Sequence, residues 1–178
     1  TEADTGFEPS ADECFWVSPD IWVRNQDDGL VHHESESLKI PADSGRMEIY
    51  IYMRVHNRGI RDYNPSKDRQ YYQLFFANAA LGIRPENWLG YESELDSNVF
   101  GDRIKSNSVD MPIKAGESAI FVTSWSVPSD VIAGMRNGYL HICLLGRISD
   151  TRTDEMISET VVKKYLSDVR KSNRLAQK

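Results

Sequence analysis

One stretch of the chain alternates strictly between two kinds of side chain: Met47-Glu48-Ile49-Tyr50-Ile51-Tyr52-Met53-Arg54-Val55. Its odd-numbered positions are all apolar, whereas its even-numbered positions are charged or carry tyrosine. Successive side chains of a β-strand point to opposite faces of a sheet, so a period of two predicts a strand with one apolar face. The turn residues Asn57-Arg58-Gly59 follow closely and predict where this strand ends.

Three further segments have the residue pattern of strands: Tyr71 to Ala77, Ser118 to Trp125 and Tyr139 to Ile148. The last has a nearly continuous apolar middle, which predicts burial on both faces of its sheet. A shorter first strand is expected between Cys14 and Val23, interrupted at Pro19. The core expected from these segments consists of Trp22, Ile49, Ile51, Met53, Leu74, Phe76, Trp125, Ile142 and Leu144.

The remaining segments depart from this pattern. Residues 1–13 are acidic and small, and we expect a flexible arm there. Residues 78–108 form a long, weakly patterned segment, and segments of this kind are often functional loops. Residues 158–170 carry apolar side chains at helical spacing, with Ser158 as a candidate N-cap. The sequence therefore predicts an all-β antiparallel sandwich over residues 14–178, with one short C-terminal helix.

The charge balance of the chain bounds its partners. The 178 residues carry a formal net charge of −6 and give a pI of about 5.2. Nucleic acids and anionic membrane surfaces attract basic proteins, so this balance argues against both as partners. No apolar run approaches the roughly 20 residues that a membrane-spanning helix needs, which predicts no direct membrane insertion.

The sequence contains no residue set with the spacing of a known catalytic or metal site. His32-His33-Glu34 does not fit the zinc motif His-Glu-x-x-His, because Ser37 stands at the fourth position after His33. Asp27-Asp28-Gly29 fits a hairpin turn better than a calcium loop. Cys14 and Cys143 lack the spacing of a zinc ribbon, and they could form one disulfide or remain thiols. We therefore expect no enzymatic activity, catalytic residue, metal site or cofactor.

Aromatic side chains give the best candidates for a binding site. The six candidates lie between residues 50 and 91, and they are Tyr50, Tyr52, Tyr71, Tyr72, Trp88 and Tyr91. Exposed aromatic rings among polar neighbours suit stacking on sugars or contact with a protein. The alternative, which we favour, is that the two sheets and the long loop cover these rings. Trp88 is then expected to anchor the loop against an edge of a sheet.

Four segments together resemble a family of bacterial immunoglobulin-like β-sandwich modules, the cell-adhesion-related or CARDB-like modules of large secreted or surface proteins. The resemblance covers about residues 16 to 148. Its segments are Trp16 to Asn25 (WVSPDIWVRN), Tyr50 to Gly59 (YIYMRVHNRG), the turn at Ala115-Gly116-Glu117 that leads to Trp125 and Pro128, and His141 to Ile148 (HICLLGRI).

The resemblance implies a fold and a setting rather than a reaction. It implies a non-catalytic extracellular module that acts as a spacer or as a protein-interaction or adhesion surface. Other domains or subunits of a secreted or surface assembly are the expected partners. One alternative is a carbohydrate-binding module that uses exposed aromatic rings on a glycan, and another is an accessory domain of a secreted protease. In such modules the tail leads into a final strand, which this chain, ending at Lys178, is expected to lack in part or in full.

Overall fold

The computed structural model describes residues 18–43, 45–79, 88, 101–138 and 140–150, and the backbone of residues 175–177. Within these residues the chain forms seven strands and one helix. In chain order they are β1 (Ile21–Arg24), β2 (Met47–His56), β3 (Tyr71–Asn78), β4 (Gly101–Ser108), β5 (Ser118–Val127), α1 (Ser129–Arg136), β6 (Ile142–Ser149) and β7 (Leu175–Gln177).

The strands form two sheets in which every neighbouring pair is antiparallel. One sheet has three strands in the order β1-β2-β5, and the other has four in the order β4-β3-β6-β7. The described chain is thus mostly β, as predicted, with one short helix. The four main strands predicted from the residue pattern are confirmed. Among them β6 differs most, because it begins at Ile142 rather than at Tyr139.

Strand β2 shows why the alternating stretch folds as it does. Met47, Ile49, Ile51 and Met53 are buried and belong to one hydrophobic core. Strand β2 pairs with β5 over all ten of its residues without a register shift. This register places core-facing side chains of the two strands beside each other, as in the pair formed by Ile49 and Trp125.

The two sheets pack against each other through this core. The rings of Tyr72 and Phe121 have centroids 4.8 Å apart, and those of Phe76 and Trp125 are 4.9 Å apart. Each pair joins β3 to β5 and therefore crosses from one sheet to the other. At Gly146 of β6 the sheets come so close that an added Cβ would lie 2.7 Å from the Cδ1 atom of Ile21. A residue without a side chain is therefore needed at this point.

The central strands of the four-stranded sheet are buried on both faces. Every residue from Tyr72 to Asn78 is buried, and so is every residue from Leu144 to Arg147. For β6 this confirms the burial predicted from its apolar middle. No helix among the described residues is long and apolar enough to cross a membrane.

Two members of the predicted core are placed differently by the structure. Trp22 is buried, but it faces away from the shared core, because its pairing partner Tyr52 lies on the outer face of β2. The neighbouring Ile21 pairs with Met53 and takes the core position instead. Ile142 is only partly buried and packs at the border of the core.

The described helix α1 was not predicted. It begins directly after Pro128, with Asp130 in its first turn and Arg136 in its last. These charges suit the positive and negative ends of the helix dipole. Val131 and Ile132 pack into the core, while Arg136 donates hydrogen bonds to the carbonyls of Pro41 and Asp43. The predicted C-terminal helix at 158–170 and the acidic arm at 1–13 lie outside the described residues.

Strand β4 corrects the interpretation of residues 78–108 as one long loop. Residues 101–108 pair with β3, with a register shift between Leu74 and Phe75. The strand is largely polar, because it lies at the outer side of its sheet and buries few of its side chains. At the other side, β7 pairs with β6 over three residues, so the tail near Lys178 does contribute a strand.

We predict that Ile51→Ala lowers the free energy of unfolding by about 2–5 kcal/mol, the usual cost of truncating a fully buried aliphatic side chain. Ile51 is completely buried in the middle of β2. Urea unfolding followed by tryptophan fluorescence measures the change. Val31→Ala is the matched control, because Val31 is 73% exposed. A loss below about 0.5 kcal/mol, the range of ordinary surface substitutions, would contradict the assigned core face.

Candidate functional site

The structure does not bring the six aromatic candidates together on one surface. Tyr52 and Tyr72 lie in different sheets, and both are buried. Tyr72 faces the shared core, where its ring contacts Phe121. Trp88 is also buried, whereas Tyr50 and Tyr71 are half-buried. Tyr91 lies outside the described residues, so no ring platform can be built from the set that the structure describes.

The best-defined aromatic contact lies on the outer face of the three-stranded sheet. The rings of Trp22 and Tyr52 stack with centroids 5.3 Å apart and planes within 6° of parallel. Neither is accessible, with exposed fractions of 1% and 0%. The Tyr52 hydroxyl donates to Asp27 Oδ1 at 2.7 Å and accepts from the backbone N–H of Asp28 at 3.2 Å. These hydrogen bonds attach the loop after β1 to the stacked rings.

We call residues 25–40 the covering loop, because they follow β1 and lie over this outer face. Arg24 Nε lies 3.2 Å from Asp28 Oδ2 and 3.6 Å from Glu36 Oε1, so one guanidinium joins both ends of the loop. The backbone N–H of Asn25 donates to Glu36 Oε1 at 2.5 Å. Glu36 N–H donates to the carbonyl of Val23 at 3.1 Å. The covering loop is therefore fastened along the free edge of β1.

Two carboxylates of the covering loop have lowered pKa values. The backbone hydrogen bond from Asn25 is the main cause at Glu36, outweighing the opposing effect of burial. At Asp28 burial acts in the opposite direction, but hydrogen bonding from His32 and the charge of Arg24 together outweigh it and lower the pKa. A lowered folded-state pKa stabilises the fold above the unfolded-state value, and this stabilisation is lost as pH falls through the folded-state value. The loop contacts therefore weaken in acid.

Three histidines surround the stacked rings without forming a metal site. His33 lies 5.3 Å from Trp22 and accepts a hydrogen bond from Arg54, whose guanidinium lies 5.4 Å from the Trp22 ring. His32 and His56 each approach one carboxylate, at 3.0 and 2.9 Å. Among the described residues no group of three or more His, Cys, Asp or Glu side chains could hold a metal ion. These histidine, arginine and carboxylate side chains pair with one another and help to hold the covering loop on the sheet.

A second surface lies at the end of the fold where β2 runs into residues 57–70. A groove of about 1030 Å³ opens there, with Val109, Ile113 and Ile148 as its apolar part. The sequence predicted a turn at Asn57-Arg58-Gly59 and a polar loop over residues 60–68 here, but no binding surface. Tyr63 is the one aromatic residue of this segment in the sequence. Only its several arginine and lysine residues could therefore have indicated a binding surface.

Asn57 sets the conformation of this loop. Its side-chain N–H groups donate to the carbonyls of Arg61 and Ile113 at 2.9 and 2.8 Å. Its Oδ1 accepts from the backbone N–H of Gly59 at 3.0 Å. These bonds turn the chain sharply and join it to the segment before β5. The loop is thus held by its own hydrogen bonds rather than by apolar packing.

Tyr63 closes the other half of the loop. Its hydroxyl donates to the carbonyl of Val109 at 2.9 Å and accepts from the N–H of Gln70 at 3.3 Å. Burial is the main reason that the pKa of Tyr63 is raised. Ile60, which lies between Asn57 and Tyr63 in the chain, is 97% exposed. Arg61 and Lys67 of the same loop are also exposed. A rigid loop therefore presents one large apolar side chain among cations.

The acidic side chains of this loop take part in its hydrogen bonds. Asp62 Oδ1 accepts from the backbone N–H of Ala115 at 2.9 Å, and Asp68 Oδ2 accepts from that of Asn64 at 3.1 Å. Both carboxylates are thus engaged in holding the loop. The groove is lined by exposed basic and acidic side chains together with the apolar side chain of Ile60.

The comparisons with known proteins give weak structural likeness only. No family model and no curated protein matches the chain. A β-glucosidase structure from Erythrobacter marinus aligns with a TM-score of 0.33 and 10% identity over 75% of this chain. The structure of β-glucosidase 3B from Thermotoga neapolitana in complex with glucose aligns with a TM-score of 0.32 and 13% identity over 65% of this chain. The chain spans 13% of the length of each.

We predict that Trp88→Ala lowers the free energy of unfolding by about 3–5 kcal/mol, the usual cost of removing a buried indole. Trp88 is completely buried, so the substitution leaves a cavity whatever the ring contacts. Chemical denaturation of the variant measures the loss, with Trp88→Phe as a milder comparison. Unchanged stability together with lost binding would instead assign Trp88 to recognition.

We predict that Tyr52 titrates only in strongly alkaline solution. Burial is the main cause that raises the pKa of Tyr52 to about 12, and the hydrogen bond to Asp27 adds to it. The raised pKa stabilises the fold fully below pH about 10, the unfolded-state value, and this contribution is lost as pH rises toward about 12. Ultraviolet absorbance of the phenolate measures the titration.

The control for this titration is Tyr50→Phe, which changes a half-buried neighbour on the same strand face. Tyr52→Phe should remove the late-titrating group, whereas Tyr50→Phe should leave it in place. A late step that keeps its full amplitude in Tyr52→Phe would show that the Tyr52 hydroxyl is not held by the covering loop.

Proposed function

We propose that the chain is a non-catalytic immunoglobulin-like β-sandwich module of a secreted or surface protein, serving as a spacer or a protein-interaction surface. The strand order supports this. If β1, β2 and β5 correspond to strands A, B and E, then β4, β3, β6 and β7 correspond to C′, C, F and G, the order of an immunoglobulin-like sandwich. The sequence segments that resemble CARDB-like modules support the same family.

The observation that carries the interaction role is the loop built on Asn57 and Tyr63. Binding residues of sandwich folds often lie on loops at one end, held in place by the rigid sheets. Here hydrogen bonds of Asn57 and Tyr63 fix the loop at two points. Ile60 is exposed in a loop that also carries arginine and lysine side chains. An exposed apolar side chain on a preorganised loop loses little conformational entropy on binding, which favours recognition of a protein surface.

The charge of the loop specifies the kind of partner surface. Arg58, Arg61 and Lys67 line the same groove as Ile60, and they outnumber Asp62 and Asp68, the two carboxylates of this loop. A partner surface with a small apolar pocket and an acidic rim would complement this set. In the proposed setting such a surface belongs to another domain or subunit of the same assembly.

We predict that Ile60→Asp weakens binding of the natural partner at least about tenfold, because it places a carboxylate where an apolar side chain enters the interface. Immobilised wild-type domain would be used to capture surface proteins of the source organism. The captured protein would then be purified and its affinity measured for wild type and variant. Unfolding by urea should be unchanged, since Ile60 is 97% exposed.

The matched control is Val31→Asp, which makes the same type of change at an exposed valine of the covering loop. Equal binding by Ile60→Asp and wild type would contradict the assignment of this loop. Loss of binding in Val31→Asp alone would move the interaction surface to the covering loop.

The alternative of carbohydrate binding now depends on fewer side chains. Tyr52, Tyr72 and Trp88 are buried, which leaves Tyr50 and Tyr71 as the half-buried rings among the described candidates. A glycan array separates the two proposals. Binding of a glycan that is lost in Tyr50→Ala or Tyr71→Ala, but kept in Ile60→Asp, would favour the carbohydrate role. The accessory role beside a protease depends on the flanking chain.

A further inference from the structure

Among the residues that the structure describes, strand β5 forms an open edge of its sheet. It is the outer strand of the order β1-β2-β5, and its ten residues pair with β2 on one side. Within the part of the chain that the structure describes, no other segment pairs with β5. Unpaired backbone N–H and C=O groups along such an edge form a template for another strand.

The other sheet edges are protected, and each is protected differently. The free edge of β1 is occupied by the covering loop, through the bonds of Val23 with Ser35 and Glu36. Strand β4 has a register shift and carries Asp102, Arg103 and Lys105. Strand β7 has only three residues. Short strands, charges and irregular pairing are the usual means by which proteins prevent edge-to-edge association.

Strand β5 has none of these protections. Its sequence SAIFVTSWSV contains no charged residue and no proline, and its pairing with β2 is regular throughout. Its outer face carries Ser118, Ile120, Val122, Ser124 and Ser126, and Val122 is 40% exposed. The strand is long enough and flat enough to accept a partner over its full length.

We propose that β5 pairs antiparallel with β5 of a second copy of this chain, which joins two three-stranded sheets into one of six strands. A two-fold interface requires a surface that is complementary to itself. An antiparallel register centred on Val122 sets the two Val122 side chains against each other and places Ile120 opposite Ser124. Since the strand is uncharged, no like charges face each other in this register.

A second copy fits this edge better than a foreign strand does. Selection of a foreign strand needs charged or otherwise distinctive side chains along the edge, and β5 offers serines and small apolar residues. The outward serines allow close approach, and the central contact covers an exposed valine in both copies at once. This inference does not depend on the proposed interaction role of the Ile60 loop.

Sedimentation equilibrium of the wild-type chain over about a hundredfold range of concentration tests the proposal. We expect a concentration-dependent dimer, and we expect Val122→Lys to weaken dimerisation at least about tenfold, a change of about 1.4 kcal/mol. A lysine at this position opposes its own copy across the two-fold axis. Val31→Lys is the matched control and should dimerise like the wild type.

A second variant guards against a folding defect in the first. Ser124→Glu lies on the same exposed face of β5 and should weaken the dimer while leaving near-ultraviolet circular dichroism unchanged. A wild-type chain that stays monomeric throughout the concentration range would overturn the proposal. So would folded Val122→Lys and Ser124→Glu variants that dimerise as strongly as wild type, or a dimer that is lost in Val31→Lys.

Discussion

The alternation of side chains along β2 is the constraint on which the rest of the structure depends. Its odd-numbered residues build the core between the two sheets, while Tyr52 and Arg54 on its other face hold Trp22 and His33. A shift of one residue would exchange these faces and place Glu48 and Arg54 in the core. The pairing of β2 therefore fixes both the packing of the sheets and the position of the covering loop.

The period-two pattern was sufficient to place β2 and β5, because burial of one face dominates the choice of structure in those segments. It could not assign the face of Trp22. Ile21, Trp22 and Val23 are all apolar, so the segment carries no alternation of its own. Only its pairing with β2, which sets Trp22 beside Tyr52, determines which residue enters the core. That information lies in the register between two distant segments.

The features that sequence reasoning missed have weak apolar signals. Strand β4 is largely polar, and its position beside β3, rather than an apolar pattern in its sequence, makes it a strand. Helix α1 spans two turns and buries few side chains, which is too short for a clear helical period. Tyr52 is covered by the segment at Asp27 and Asp28, which forms hydrogen bonds with its hydroxyl. Polar contacts of this kind cannot be predicted from a hydrophobic pattern. The loop at Ile60 depends on the hydrogen bonds of Asn57 in the same way.

The covering loop also limits how far the three-stranded sheet can grow. Its bonds to Val23 close the β1 edge, so in the described part of the chain the sheet can accept a further strand only at β5. If the open side is used by a two-fold copy, both ends of the combined sheet are β1 edges closed by their own loops. Polymerisation into a filament needs two complementary open ends on each unit, and this arrangement has none after one step. In such a dimer the covering loops would block the addition of further strands, and the assembly would stop at two copies.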